Sequence, residues 1–193
     1  MLSSPRMSLE KRMGKPKEAQ SARLFMSLIV SRENILPEGQ KALEAMFGEI
    51  DLVSERFPFD FTDYYAKEMG PRLFRHFVTF KNLIPIPRLP EIKLTTNRLE
   101  EQLAMQEGNR RINIDPGYLC LHHVILATTK GYSHRPYLRD GIYADLTLIY
   151  RNKSFQALEW TYPDYRQAPV IDFFNQLRKK YLDDLNQGVI NQC

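Results

Sequence analysis

The sequence predicts a single α+β domain in which a mostly antiparallel, strongly bent sheet of about seven strands is covered by three or four helices. Three observations lead there. Apolar residues alternate with period two through much of the chain, and from Arg110 onward almost without interruption. The period lengthens to that of a helix in only a few places, most clearly near the C-terminus. The pairs Asp140-Gly141 and Asn152-Lys153 then supply turns where an antiparallel meander needs them. With 193 residues, 43% of them hydrophobic, the chain suffices for one sizeable core.

Taken in order, "ARLFMSLIVSR" (22–32) is β-branched and aromatic and reads as a strand, after which Leu43, Met46, Phe47 and Ile50 fall on one helical stripe behind Pro37. "DLVSERFPF" returns to strand character. "FDFTDYYAKEMG" reads as a short helix with Thr62 as N-cap and Gly70 as stop. "LFRHFVTFKNLI" (73–84) is a strand, and the three prolines of "IPIPRLP" mark a connector without regular structure. In "TTNRLEEQLAMQEG", Asn97 followed by Glu100 resembles a capping box opening a helix that ends before Gly108. "RRINI" is then a strand, "DPG" a type II turn with Asp115 as its first residue, and "YLCLHHVILATT", "IYADLTLIY" and "FQALEWTY" are further strands. The closing "PVIDFFNQLRKKYLDDL" aligns Val170, Phe174, Leu177, Tyr181 and Leu185 on one stripe of an amphipathic helix.

Charge separates a leader from the domain. Residues 1–22 hold a net +3 of the chain's +4, which leaves the remainder nearly neutral. The expectation is a disordered basic leader over 1–21, a domain over 22–188 and a flexible C-terminus over 189–193. Such a balance argues against a nucleic-acid-binding body. No run of about 18 apolar residues marks a membrane span, no secretory h-region opens the chain, and only Cys120 and Cys193 are present. A cytoplasmic location is expected.

Strand alternation groups the polar residues without a structure. Arg111 and Asn113 share one face of "RRINI"; Tyr143, Asp145 and Thr147 share a face of "IYADLTLIY"; Glu159 and Thr161 share a face of "LEWTY". One such face in water is common for antiparallel sheets. Brought together, however, these groups would make a polar ligand site. Asp115, Asp145 and Glu159 would offer oxygen ligands to a divalent cation such as magnesium, and Lys130, His134 and Arg135 would meet an anion.

Other chemistries lack their motifs. Nothing fits a phosphate-binding P-loop or a dinucleotide fingerprint, so a nucleotide would have to bind by another geometry. "HFVTF" is one residue too long for a His-x-Thr phosphoesterase motif and has no second copy, which leaves His76 an ordinary strand residue. Cys120, His122, His123 and His134 lack the paired spacing of structural zinc.

"KLTTNRLE", "INIDPGY", "LATTKGYSHR", "GIYADLTLIY", "WTYPDYR" and "FTDYYAKEMG" resemble, over about residues 20–180, a bacterial family known as domain of unknown function 4416. Some of its members are labelled GTP-binding protein, a label that the missing P-loop does not support in this chain. The resemblance implies recurrent polar positions at Lys93, Thr96, Asn97, Glu100, Asn113, Asp115, Lys130, His134, Arg135, Tyr143, Thr147, Trp160, Thr161 and Asp164. Asp145 and Pro136 depart from the family pattern, which favours a Glu and an aliphatic residue there. The functional expectation is a protein that binds a small anionic or phosphorylated ligand, a nucleotide among the candidates, on the polar face of its sheet. A noncatalytic interaction module docking through Trp160, Tyr162 and Tyr165 is the alternative. No reaction and no oligomeric state follow from the sequence.

Overall fold

Strand β1 (Ala22–Val30) is buried at every position in the computed structural model, which describes residues 15–105 and 109–187. Such a strand needs a packed layer on each side, and alternation assigns its residues to them. Leu24, Met26, Leu28 and Val30 pack with α1 (Leu36–Phe47) and α3 (Leu89–Gln102). Phe25 packs instead with Val170, Phe174, Leu177 and Tyr181 of α4 (Ala168–Asn186). The expected α4 stripe is therefore the one that is buried. Helices cover both faces, so the polar face is not a solvated one.

The sheet is open and antiparallel, in the order β2 (Ile50–Val53), β4 (Leu73–Ile84), β1, β5 (Ile112–Leu119), β6 (His123–Thr128), β8 (Ile142–Arg151), β7 (Tyr137–Arg139). β3 (Phe57–Phe59) shares the outer edge of β4 with β2, and β9 (Ser154–Ala157) shares that of β8 with β7. Nine strands thus make a sheet seven strands wide. Both predicted hairpin turns form, with φ of 54° and 76° at Asp140-Gly141 and 51° and 66° at Asn152-Lys153, as type I′ turns require. Among the described residues there are four α-helices, the shortest being α2 (Ala66–Met69), and none is long and apolar enough to cross a membrane.

Several expectations are corrected. "DPG" is not a turn: β5 runs straight through it, pairing Asp115 with Ser27, Pro116 with Met26 and Gly117 with Phe25, and the chain reverses instead at Cys120–His123. Gly117 lacks the left-handed φ of a type II turn. The prolines of "IPIPRLP" do not exclude structure, because Pro90 lies in the first turn of α3, where its missing N–H is no loss. Asn97 and Glu100 are consequently inside that helix and cap nothing. Thr62 does not cap α2, whose N-cap position is Tyr65; its hydroxyl accepts a bond from Tyr64 N–H instead. The register shift between β6 and β8 leaves Thr147 as an extra residue, so Leu148 joins the α4 side together with Asp145. Glu159, Trp160 and Thr161 follow β9 in a turn closed by Thr161 N–H to Leu158 O.

Residues 15–20 of the expected leader are exposed and irregular. Residues 1–14, the helix stop at Gly108 and the C-terminal segment 189–193 lie outside the described residues.

Candidate functional site

The misread "DPG" is where the site begins. β6 pairs with β5 only from Gly117 to Leu119, so the remaining outer edge of β5 has no strand beside it. α3 fills that place. Ile114 N–H donates to Glu100 Oε1 at 2.7 Å, and Ile114 C=O accepts from Lys93 Nζ at 3.1 Å. Residues two apart point their backbone groups the same way, so the donor that Pro116 lacks falls in this same gap. Gly117, the first paired position, lets β6 come close there, since a Cβ would lie 2.4 Å from Ile125 O.

α3 thus presents Lys93, Asn97 and Glu100, at i, i+4 and i+7, along one stripe beside β5. Lys93 bonds Asp115 Oδ1 at 2.9 Å, and Asn113 Nδ2 bonds Asp115 Oδ2 at 2.8 Å. Arg110 grips Glu68 of α2 through both carboxylate oxygens, Oε1 at 2.9 Å and Oε2 at 2.7 Å, and reaches Asn113 Oδ1 at 3.0 Å. Deeper in, the buried Arg75 of β4 meets Asp164 at 2.6 Å, donates to Ser27 Oγ and lies 5.0 Å from the Tyr165 ring centre.

Two adjoining cavities open over these groups. The first, about 350 Å³, is walled by Phe59, Phe61, Tyr64, Tyr65, Tyr162 and Tyr165 above Arg75, Asp145 and Asp164. The second, about 380 Å³, lies against α3 and is lined by Lys93, Asn97, Glu100, Arg110 and Asn113. Tyr64, Tyr65, Asp115, Thr128, Lys130 and Tyr162 line both. Each cavity is of small-molecule size.

Burial sets the titration of the two central carboxyls apart. Loss of water raises Glu100 to about 7 against the pull of Lys93, helped by the negative charge of Asp115. Asp115 is also pushed upward by burial, but Lys93, Asn113 and Arg75 together hold it below its ordinary value. One stays charged while the other can take or give a proton near neutrality. Burial and the Asp115 charge raise the Tyr65 phenol, which therefore remains a neutral hydroxyl.

Of the residues predicted from sequence, Lys93, Asn97, Glu100, Asn113, Asp115, Lys130 and Asp145 line the cleft. Others stand behind it. Arg135 bonds Asp145 Oδ2 at 2.8 Å, Tyr162 Oη at 2.7 Å and Lys130 O at 3.2 Å, so it positions the wall. Thr161 Oγ1 donates to Thr147 O at 2.6 Å and accepts from Leu158 N–H, fixing the turn that carries Tyr162. Tyr143 packs edge-on against Tyr137. Arg111 pairs with Glu38 at 3.3 Å. His134 stacks on Trp160 beside Glu159 at a separate, open groove. Glu159 is therefore not brought to Asp115 and Asp145, and among the described residues no three His, Cys, Asp or Glu side chains are grouped to hold a metal ion.

The sequence reading missed Tyr64, Tyr65, Glu68, Arg75, Arg110 and Tyr162 as site residues. Arg75 carried a signal as a charge inside the apolar strand "LFRHFVTF", and Tyr64, Tyr65, Glu68 and Tyr162 lie within the family strings "FTDYYAKEMG" and "WTYPDYR" without having been assigned to the ligand site.

Fold and site together define a single-domain α+β protein with a polar, aromatic-walled cleft between a splayed strand pair and a helix. The profile of the family described as Domain of unknown function (DUF4416) matches residues 20–181, and the chain belongs to that family. No curated protein and no solved structure matches it.

Proposed function

We propose that the chain binds a small anionic ligand, phosphorylated in the simplest case, in the cleft between α3 and the polar face of the sheet. The observation that supports this is Lys130. Every other cation lining the cleft is ion-paired with a carboxylate, namely Arg75 with Asp164, Lys93 with Asp115 and Arg110 with Glu68. Lys130 borders both cavities, is exposed, rests its ammonium 4.3 Å from the Tyr64 ring centre and makes no ion pair among the described residues. An ammonium at such a site is an open partner for phosphate or carboxylate. Nucleotides remain candidates without a P-loop. The reading needs no metal, since a cation on Asp115 or Asp145 would compete with Lys93 and Arg135.

Thermal denaturation with inorganic phosphate, ribose 5-phosphate and nucleoside monophosphates, with and without magnesium, tests it. Binding at about 100 times Kd should add about 2.7 kcal/mol, and Lys130→Ala should remove most of that gain. The reading fails if no anion stabilises the protein or if the variant responds as the parent does.

The alternative reading, an interaction module, is favoured by one observation. Tyr132 and Trp160 are both exposed and each stacks on the His134 ring, whereas Tyr165 is 1% exposed and belongs to the core. A partner would dock there through Tyr132 and Trp160, and its binding would survive Lys130→Ala but not Trp160→Ala.

A further inference from the structure

The two cavities differ in chemistry in a way that an anion site alone does not require. The α3 cavity is polar, with Lys93, Asn97 and Arg110 around it. The other is walled mainly by aromatic rings, including Phe59, Phe61 and Tyr162, over a floor that holds Asp145 and Asp164. Both carboxylates are kept in place by buried guanidiniums, Asp145 by Arg135 and Asp164 by Arg75. Charge decides which end an anion takes. Arg75 and Lys130 face Asp115, Asp145 and Asp164 around the aromatic cavity, whereas Lys93, Arg110 and Lys130 face Glu100, Glu101 and Asp115 around the polar one, where the Lys93 ammonium, with two of its three protons given to Ile114 O and Asp115, has one to spare.

Resting on the anion-binding reading above, we infer that one ligand spans both cavities, with its phosphate between Lys130 and Lys93 and a planar ring bearing N–H donors among the aromatic side chains. The shared wall of Tyr64, Asp115, Lys130 and Tyr162 is the waist through which the two halves join. Flat rings stack on such walls whatever their identity, and the carboxylate floor accepts hydrogen bonds from ring nitrogens or exocyclic amines. The ligand class is a heteroaromatic ring joined to a phosphate, either through a sugar, as in a nucleoside monophosphate, or through a single methylene, as in pyridoxal 5′-phosphate.

Isothermal titration of the full chain with inorganic phosphate, ribose 5-phosphate, adenosine, the four ribonucleoside 5′-monophosphates and pyridoxal 5′-phosphate tests this. At least one ring-bearing phosphate should bind on the order of tenfold or more tighter than ribose 5-phosphate, the gain typical of one stacked ring. Phe61, 41% exposed and bordering only the aromatic cavity, can be truncated with little effect on the core, and Phe61→Ala should shrink that advantage. The nucleotide and pyridoxal arms tell a sugar linker from a one-carbon one. If ribose 5-phosphate binds as tightly as every ring-bearing phosphate, the spanning ligand is refuted and the anion site stands. If adenosine matches the monophosphates, or if nothing binds, the anion reading falls as well. The parent-chain comparison decides the matter even if Phe61→Ala does not fold.

Discussion

Glu100 concentrates the consequences of the fold in one side chain. Its carboxyl completes the backbone of β5 and titrates at about 7 instead of 4.5 because burial penalises the charge. A raised folded value means that the native state holds the proton longer than the unfolded chain does. The associated stability is fully present below about pH 4.5 and is lost as pH rises through about 7. Denaturant titrations at several pH values in that window should show Glu100→Gln flattening the parent's decline, a difference on the order of 3 kcal/mol between its ends. Asp115 has the opposite sign: its folded value is lowered, so its contribution is present above its ordinary value of 3.8 and disappears as pH falls through the folded one. The two effects occupy separate windows. Arg75 makes a second case, since removing Asp164 would leave a buried guanidinium without its ion-paired carboxylate. Asp164→Ala should cost about 3–5 kcal/mol, read from the shift of the urea midpoint.

Among the elements, what was legible was what is decided locally. The two type I′ turns sit on Asp140-Gly141 and Asn152-Lys153 because those residues accept positive φ, and the strand over residues 73–84 and the α4 stripe follow from periodicity alone. "DPG" was misread because Pro-Gly has the chemistry of a turn, whereas its place in β5 is set by a helix distant in sequence. Nothing near Pro116 announces that α3 will replace the missing strand. For the same reason alternation could group Asn113 and Asp145, but not Asp115, which was assigned to the turn, nor Tyr64, Tyr65 or Arg110, which reach the cleft from loops and a helix end. It also failed at Glu159, where β9 stops at Ala157, and at Thr147, where one extra residue shifts the pattern. Gly117→Asn separates the two readings of the motif. Asparagine suits a left-handed turn position, but in β5 its Cβ would meet Ile125 O and the Phe25 ring, at 2.4 and 2.5 Å. Equilibrium unfolding should register a loss of about 1–3 kcal/mol or more.

At the scale of the molecule, the aromatic cluster under α4 ties the cleft to overall stability. Phe174 lies 5.2 Å from Phe25, 5.1 Å from Phe77 and 5.9 Å, stacked, from Tyr165, which in turn walls the ring cavity. Arg23 bonds Asp184, and Tyr181 bonds the backbone ahead of β1, so the same helix holds this inner strand at its start. Phe174→Ala should therefore cost about 3–5 kcal/mol, at about 2–4 °C of melting temperature for each, and should weaken ligand binding although Phe174 does not line the cleft. The most direct test of the account is where an anion lands. In a ¹⁵N-resolved NMR titration with ribose 5-phosphate, amide shifts should cluster at Tyr64-Tyr65, Asn113–Asp115 and Thr128–Lys130. Shifts confined to Ser133-His134 and Glu159-Trp160, or none at saturating phosphate, would contradict it.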